Sequence, residues 1–343
     1  MDFLPNVSLA EHSTMRLGGV AAYACDVHDR MELKEALAWA AERSLPVMMI
    51  GDGSNIVWRD EGFPGLVMVN KILRFEMFAE DDLNYYFNIG AGENWDSVVE
   101  RTVQAGCNGI EALSLIPGTA GATPVQNVGA YGQEIADTLV TVEAYDTQIG
   151  DFINLPAMDC AFGYRTSRFK TTDRGRFFIT GINLHLMKIN PEPPFYGSVQ
   201  QYFTERGITE VTPQVLRDAV VDIRSHKLPD PATVANNGSF FANPVISEGT
   251  LAQIVANYGD VPHWPAKDGS GIKIPAAWLI EHAGFKDFHD AATGMATWPT
   301  QPLVLVNEQA TSTADLLAFK QHIESTVQEK FDITLQQEPE LLP

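Results

Sequence analysis

The sequence predicts an α+β protein. Helical and extended patterns alternate along the chain, but without the regular β–α–β order that a single doubly wound sheet requires. At roughly 150 residues per domain, 343 residues also exceed the usual size of one domain. Neither an internal repeat nor a low-complexity linker is visible. We therefore expect more than one domain of mixed helices and strands.

Helical periodicity marks six segments, and most begin with residues that can cap a helix. Asp29 and Asn94 precede the first two, while Thr212 and Pro213 open the third. Asp315 stands where a capping box needs an acid in the last one. The predicted helices are 29–45, 95–105, one from Thr212 that ends before Pro229, 247–258, 275–283 and one from Thr311–Ser312 to about Phe331.

Extended segments are predicted from alternating polarity or from short apolar runs between turn residues. In 177–188, for example, Ile182 and Leu184 lie on one face while Asn183 lies on the other. The predicted strands are 47–50, 56–58, 139–146, 177–188, 303–306 and the final extended segment 332–340.

Composition and charge exclude several classes of protein. With 45% hydrophobic and 20% charged residues, the chain is not disordered. The net charge of −21 repels nucleic-acid phosphates and anionic membranes, so neither is expected as a partner. Cys25, Cys107 and Cys160 are widely spaced, the start carries no secretory signal, and no apolar run is long enough to span a membrane. These features predict a cytoplasmic protein.

Two glycine-rich segments are the strongest candidates for a ligand site. Gly51-Asp52-Gly53-Ser54-Asn55 follows a predicted buried strand, and its glycines let backbone N–H groups approach a pyrophosphate. An ordinary tight turn is the alternative, and the dinucleotide fingerprint GxGxxG is absent. Residues 116–132, IPGTAGATPVQNVGAYG, carry almost no charge, which suits close contact with a planar or phosphorylated ligand. A packing loop is the alternative there.

Two further segments carry polar groups that could act on a ligand. From Arg165 to Arg176 there are five basic residues and one acid, which favours an anion site over a solvated surface. Asn237-Gly238 is typical of a hairpin turn, and Ser239 after it could present its hydroxyl to a ligand. The eight histidines show no metal-ligand spacing, so no metal site is predicted.

In this order the segments resemble the UDP-N-acetylenolpyruvoylglucosamine reductase family, flavoenzymes of peptidoglycan precursor synthesis and hence of cell shape and division. The resemblance covers nearly the whole chain, and a Tyr196-Gly197 loop is similar to the substrate-tyrosine loop of the larger subtype. The matching segments are GDGSN, IPGTAGATPVQNVGAYG, FGYRTSRFK, KLPDP with NNGSFFANP, PAAWLIEHAG and Glu338-Pro339-Glu340.

The resemblance implies a two-part FAD-binding region of the vanillyl-alcohol-oxidase-like type and a third, substrate-binding α+β domain. The expected boundaries are 1–70 and 71–225 for the two FAD-binding subdomains, 226–335 for the substrate domain and 336–343 for a tail carrying Glu340. It further implies non-covalent FAD, NADPH as reductant, a UDP-sugar enol ether as substrate and a monomeric protein.

The resemblance also assigns residues to the ligands. FAD is expected to contact Gly51, Asp52, Gly53, Ser54, Asn55, Pro117, Gly118, Thr119, Gly121, Ala122, Gln126, Asn127, Gly129, Ala130, Tyr131 and Gly132. The UDP-sugar is expected to contact Tyr196, Lys227, Asn243, Trp264, Lys286 and Gln301. Trp264 stands where the family usually has tyrosine, so stacking can persist but a hydroxyl contact is lost.

The implied chemistry is the reduction of the enolpyruvyl ether. Flavin N5 gives a hydride to the β-carbon, which pushes charge into the substrate carboxylate and requires preorganised donors. Arg165 and Glu340 match the family residues that flank this carboxyl, and Ser239 matches the one that protonates the α-carbon. Only Leu341-Leu342 and Pro343 follow Glu340, where a longer strand is expected, so its anchoring is left open.

Two alternatives remain at this level. Another flavin oxidoreductase of the same fold would be favoured by a histidine linked covalently to the flavin, but neither glycine-rich segment contains a histidine. A nucleotide-sugar binding protein without enzymatic activity would leave Ser239 and Glu340 without roles.

Overall fold

The computed structural model describes residues 1–266 and 269–343. The backbone divides into two compact units, each assembled from separate parts of the sequence. The first unit comprises 1–7, 21–52 and 63–226, and the second comprises 8–20, 53–62 and 227–343. The domain boundaries expected from the sequence stay a prediction.

Most helices begin at the residues that were expected to cap them. The Asp29 carboxylate accepts from the amides of Met31 and Glu32, and Ser312 and Asp315 form a reciprocal capping box. The helices are α1 (Arg30–Glu42), α2 (Trp95–Gln104), α3 (Gly197–Arg206), α4 (Pro213–Lys227), α5 (Glu248–Tyr258), α6 (Ala276–Ile280, extended by a π turn over Glu281–Phe285) and α7 (Thr313–Phe331).

The strands are mostly short, and the longest of them, β12, has 11 residues. They are β1 (Leu4–Ser8), β2 (Val20–Val27), β3 (Val47–Ile50), β4 (Ile56–Trp58), β5 (Phe63–Asn70), β6 (Phe75–Ala79), β7 (Asn84–Gly90), β8 (Gly129–Ala130), β9 (Gln133–Glu134), β10 (Leu139–Asp146), β11 (Asp151–Pro156), β12 (Phe177–Met187), β13 (Ala235–Ser239), β14 (Phe241–Ala242), β15 (Val245–Ile246), β16 (Trp264–Pro265), β17 (Ile272–Lys273), β18 (His289–Asp290), β19 (Met295–Trp298), β20 (Gln301–Asn307), β21 (Gln336–Gln337) and β22 (Glu340–Leu342).

The first unit contains two larger sheets. One has the order β1-β2-β5-β3, with β5 parallel to both β2 and β3, and Leu33 of α1 packs in the core beside Leu66. The other is antiparallel with the order β11-β10-β12-β7-β6, and Trp95 of α2 is buried with Phe87 and Ile182. Each helix thus covers one apolar sheet face, as a layered fold requires.

The second unit is built around the antiparallel sheet β13-β20-β19-β18. Its core contains Phe319 and Ile323 of α7 together with Phe240 and Phe241, which follow β13. Smaller sheets pair β14 with β21, β17 with both β15 and β16, and β22 with β4. The short segment 53–62 therefore belongs to this unit through β4, although β3 just before it belongs to the first.

The predicted helices and the predicted strands from 47–50 to 303–306 are confirmed within a few residues at their ends. The predicted final extended segment 332–340 instead contains only the short strand β21 and the first residue of β22. Helix α3 was missed, and so were many strands, among them β1, β2, β5, β6, β7 and β11. Helix α3 buries only Val199 and Phe203, so its periodicity is weak. Strand β6 lies at a sheet edge and is largely exposed, so its sequence lacks the alternation of a half-buried strand.

An ion pair between buried Arg217 and half-buried Asp96 joins α4 to α2 in the first unit. The Arg217 guanidinium donates to both Asp96 carboxylate oxygens at 2.7 and 3.0 Å and to Ser114 Oγ at 2.7 Å. Burial alone raises the pKa of Asp96, but hydrogen bonds from Arg217 and from the Leu115 amide outweigh it and hold the pKa below its usual value. The pair therefore fixes the chain entering the glycine-rich segment 116–132.

We expect Asp96→Asn to lower the free energy of unfolding by about 3 kcal/mol, because it leaves the Arg217 charge buried without its counter-ion. Urea denaturation at pH 7 measures this loss. Since the folded-state pKa is depressed, the contribution is complete above the ordinary carboxyl pKa of about 3.9 and disappears as pH falls through the lower folded-state value.

The exposed Arg206–Asp222 pair is the control. Asp222→Asn should cost under about 1 kcal/mol. Equal losses in the two variants would contradict the role of burial.

Candidate functional site

The two glycine-rich segments meet in the first unit. A Cβ added to Gly51 would lie 2.4 Å from Thr119 Oγ1, so only glycine allows this approach. In the second unit, Gly53 has a φ of 70°, and a Cβ there would lie 2.1 Å from the carbonyl oxygen of His12. The GDGSN turn is thus held tightly at both glycines, which is how a backbone cradle for a phosphate is built.

We expect Gly51→Ala to weaken FAD binding, because the methyl group must displace Thr119 at a cost of about 1–3 kcal/mol. The FAD dissociation constant, measured by quenching of flavin fluorescence, should rise roughly tenfold or more. Gly249→Ala is the matched control, since a Cβ there meets only Ser247 Oγ at 3.7 Å. Unchanged FAD affinity in Gly51→Ala would contradict the cradle.

Backbone hydrogen bonds hold the start of the 116–132 segment. The Trp95 amide donates to the Gly118 carbonyl at 3.0 Å, and the Ala120 amide donates to the Glu93 carbonyl at 2.9 Å. Gly121 lies so close to Ala91 that a Cβ would come within 2.5 Å of the alanine Cβ. The main chain around Thr119 is therefore preformed.

Arg165 lies against the second half of this segment. Its backbone is left-handed, with a φ of 53°, and its guanidinium donates to the carbonyl oxygens of Asn127, at 3.4 Å, and Gly129. The side-chain Nδ2 of Asn127 donates to the Gly163 carbonyl at 3.0 Å. This hydrogen bond connects the chain just before Arg165 to the same segment. The structure thus brings Arg165 together with the expected flavin contacts Asn127 and Gly129.

The rest of the basic run has a different role. Arg168 pairs with Asp173 at 2.8 Å, and Arg176 pairs with Asp146 at 2.6 Å. The hydrogen bond from Arg176 holds the pKa of Asp146 below its usual value. The hypothesis of an anion site along the whole run is therefore wrong for Arg168 and Arg176, whose charges are matched by acids.

Tyr131, Tyr196 and Arg224 form a cluster in the first unit. The rings of Tyr131 and Tyr196 meet edge to face at 5.6 Å, so two residues with different expected ligands are neighbours. The Arg224 guanidinium donates a hydrogen bond to the Tyr131 hydroxyl oxygen and another to the Leu115 carbonyl at 3.3 Å. Burial lowers the pKa of Arg224. Its Nε is buried and meets no acceptor in 1–266 and 269–343.

Arg224 is a candidate that the sequence reasoning missed. It follows Leu216 and Val220 at helical spacing on α4, and both of these are buried. A charged residue on the same helix face as buried apolar residues is the signal that could have identified it. A half-buried guanidinium whose buried Nε–H has no acceptor within the described parts of the chain is suited to an anionic ligand, so this unit fits FAD.

Ser239 ends β13 in the second unit. Its strand pairs with β20, where Ser239 lies opposite Val304, and the register shifts between Asn236 and Ser239. Gly238 has a φ of 68° within this shift. The expected Asn-Gly hairpin turn is therefore wrong: the dipeptide forms a β-bulge, which redirects the strand just before Ser239.

Glu340 is anchored by a strand. β22 runs parallel to β4, with Glu340 opposite Ile56, and the Glu340 amide donates to the Asn55 carbonyl at 2.9 Å. The Glu338 amide donates to the Phe240 carbonyl at 3.0 Å, next to Ser239. The open question of its anchoring is thus resolved by pairing with β4.

Four of the six residues expected to bind the UDP-sugar lie in the second unit in two places. Lys227 and Gln301 are in one, and Asn243 and Trp264 are in the other. Thr300 Oγ1 donates to the Lys227 carbonyl at 2.8 Å, which brings Lys227 beside Gln301. Trp264 lies opposite Lys273 on the sheet β15-β17-β16. Asn243 lies two residues before the start of β15, the first strand of this sheet in the chain. Asn243 Oδ1 accepts from the Ala276 amide at 2.9 Å at the start of α6.

The other two residues have distinct surroundings. Lys286 is exposed, and its Nζ lies 2.7 Å from Glu281 Oε1. Tyr196 belongs to the first unit, as described above. Lys273, which the sequence reasoning missed, is only 8% exposed. A lysine between two isoleucines in a strand pattern was the available signal.

The catalytic candidates are divided between the units, with Arg165 in the first and Ser239 and Glu340 in the second. In 1–266 and 269–343, no group of three or more His, Cys, Asp or Glu residues is arranged to hold a metal ion. Over the same residues, no helix has the length and apolarity needed to cross a membrane.

Two family models and curated relatives match this chain. A family model described as the C-terminal domain of UDP-N-acetylenolpyruvoylglucosamine reductase matches residues 230–342, and one described as an FAD binding domain matches 21–155. Curated relatives named UDP-N-acetylenolpyruvoylglucosamine reductase include one from Pseudomonas putida, 40% identical over 98% of this chain and 97% of its own. Another, from Escherichia coli O157:H7, is 36% identical over 97% and 95%.

The solved structure of UDP-N-acetylenolpyruvylglucosamine reductase from Thermus caldophilus matches 100% of both chains, with a TM-score of 0.70 and 23% identity. This likeness confirms the predicted fold class. The full-length relatives and the FAD binding domain confirm an FAD-binding oxidoreductase. The chain belongs to the UDP-N-acetylenolpyruvoylglucosamine reductase family.

Proposed function

We propose that this chain reduces UDP-N-acetylglucosamine enolpyruvate to UDP-N-acetylmuramate, with NADPH as reductant and FAD as a non-covalent cofactor. One observation supports it most. Asn237, two residues before Ser239, donates to the carbonyls of Ser54 and Ile56, and the Glu340 amide donates to the carbonyl of Asn55 between them. The two acid candidates of the second unit are therefore both anchored to the GDGSN segment.

FAD, which the two glycine-rich segments would hold, would supply the hydride-transfer chemistry between NADPH and the β-carbon of the enol ether. The chain's own residues then act on the substrate. Arg165 binds the carboxyl group, because its guanidinium is already oriented by the Asn127 and Gly129 carbonyls and needs little reorganisation. Glu340 binds the same carboxyl group. Ser239 returns a proton to the α-carbon, a role open to a weak acid only beside a strongly basic enediolate.

The UDP diphosphate is assigned to Tyr196, Lys227, Asn243, Lys286 and Gln301, and nucleotide stacking to Trp264. The support is chemical: lysine ammonium and amide N–H groups are suitable donors to phosphate oxygens. Lys227 and Gln301 are also neighbours through Thr300. A cytoplasmic location and a monomeric state complete the proposal, and size-exclusion chromatography checks the second.

The test is direct. The purified protein is examined for releasable flavin, and NADPH oxidation is followed with and without the enolpyruvyl UDP-sugar. We expect bound FAD and oxidation that depends on the UDP-sugar. A protein that neither carries nor binds FAD would overturn every flavoenzyme assignment. NADPH oxidation that ignores the UDP-sugar would leave another flavin oxidoreductase of the same fold.

A further inference from the structure

Asn237 is almost completely buried, at 4% exposure, and its side chain is only half satisfied. Its Nδ2 contacts three oxygens: Thr14 Oγ1 at 3.1 Å, the Ile56 carbonyl at 3.2 Å and the Ser54 carbonyl at 3.3 Å. Its Oδ1 is buried and meets no donor in residues 1–266 and 269–343.

The orientation of this amide follows from its surroundings. The carbonyl oxygens of Ser54 and Ile56 can only accept hydrogen bonds, so the NH2 group must face them and Oδ1 must face away. A flipped amide would set three oxygen atoms against one another. Leaving a buried oxygen without a donor costs about 1–3 kcal/mol, so such atoms normally meet a partner from outside the chain.

Asn236, the neighbouring residue, shows what a structural asparagine does at this position. It is also buried, but its Nδ2 donates to the Val234 carbonyl at 2.7 Å and its Oδ1 accepts from the Gly238 amide at 2.8 Å. Both of its polar atoms are therefore used within the bulge. Asn237 differs because its Oδ1 has no hydrogen-bond donor among the described residues.

The three oxygens held by Nδ2 belong to the support of the GDGSN segment. The Thr14 amide donates to the Gly53 carbonyl at 3.2 Å, while Ser54 follows Gly53 directly. Ile56 lies opposite Glu340 in the β4–β22 pair. One amide thus connects the Ser239 strand, the second half of the GDGSN turn and the strand that anchors Glu340.

We propose that Asn237 is a positioning residue for the cofactor: its NH2 group holds the 54–56 main chain, and its Oδ1 accepts a hydrogen bond from a hydroxyl group of bound FAD. The ligand is assigned by chemistry, since Oδ1 needs a donor and the adjacent segment has the backbone of a dinucleotide cradle. The inference rests on the proposed function, because it requires FAD to bind at the GDGSN segment.

The test compares Asn237→Ala and Asn237→Asp with Asn257→Ala and Asn257→Asp. Asn257 is exposed on α5 and serves as the matched control. FAD affinity is measured by fluorescence titration of the flavin-free protein, and melting temperature is measured with and without FAD. We expect the FAD dissociation constant to rise about tenfold in Asn237→Ala. Asn237→Asp should lose more FAD affinity than Asn237→Ala, because its carboxylate repels both the carbonyl oxygens of Ser54 and Ile56 and the FAD phosphates.

The outcomes separate a ligand contact from a structural role. If Oδ1 meets only an ordered water, Asn237→Ala lowers the melting temperature equally with and without FAD and leaves FAD affinity unchanged, which overturns the proposal. A smaller FAD-induced rise in melting temperature, together with an altered absorption spectrum of the bound flavin, supports it. If the wild-type protein does not bind FAD, the proposed function itself fails. If the wild-type protein binds FAD and the Asn237 variants bind it with the same affinity, the proposed function stands and this inference alone fails.

Discussion

Ser239→Ala is expected to abolish turnover of the enol ether while leaving flavin reduction by NADPH intact. General acid catalysis by a positioned group contributes about 10²–10⁴-fold, and alanine keeps the backbone but removes the proton. The β-bulge at Asn237-Gly238 directs the strand at Ser239, and the alanine variant leaves that bulge in place. Rapid-mixing absorbance of the flavin measures each half-reaction separately.

A thiol replacement sharpens this test. Ser239→Cys retains a proton donor with an ordinary pKa of about 8.5. Partial activity is therefore expected at neutral pH and should disappear as pH rises through that value, since the thiolate has no proton to give. Ser325→Ala, at a half-buried position on α7, is the control and should behave as wild type. Equal losses in both half-reactions of Ser239→Ala would contradict proton donation.

Arg165→Ala is expected to slow the second half-reaction by about 10²–10³-fold, the effect of losing one preorganised donor. The guanidinium is oriented by two main-chain oxygens of the 127–129 segment, so its N–H groups are fixed before substrate binds. Arg165→Lys should recover only part of the rate, because an ammonium group cannot reproduce the planar fork of donors that matches a carboxylate.

The control for this prediction comes from the same basic run. Arg174 is exposed, and Arg174→Ala should leave both half-reactions unchanged. Flavin content is measured in every variant, because Arg165 also contacts the segment expected to hold FAD. Normal turnover in flavin-loaded Arg165→Ala would show that the assigned role is wrong.

Features that depend on neighbouring residues in the chain were predictable. The Asp29 cap and the Ser312–Asp315 capping box act within one helical turn, so their pattern is visible in the sequence. The two glycine-rich segments and the order of the motifs identified the family in the same way. Interactions between residues close in the chain can therefore be predicted from the order of those residues.

Features that depend on distant strands were not predictable. Asn237-Gly238 satisfies the rules for a hairpin turn, yet it forms a bulge, because β13 pairs with β20 rather than with the strand that follows it. Lys273 is buried and Arg224 is half-buried with a buried Nε, and burial depends on what packs against each residue. Glu340 follows the same rule, since its anchor at β4 lies almost the whole chain away.

The chain's net charge of −21 argues against a nucleic-acid partner but indicates nothing about a site for anionic ligands. The sequence alone was enough to predict six helices, the strands β3, β4, β10, β12 and β20, the glycine-rich turns and the family. Only the tertiary structure decided that Gly51 meets Thr119, that Arg168 and Arg176 are matched by acids while Arg165 lies on the 127–129 segment, and that Asn237 keeps an unmatched oxygen. These contacts and the burial they produce depend on segments that are far apart in the chain. The sequence of one segment does not indicate which other segment will pair with it.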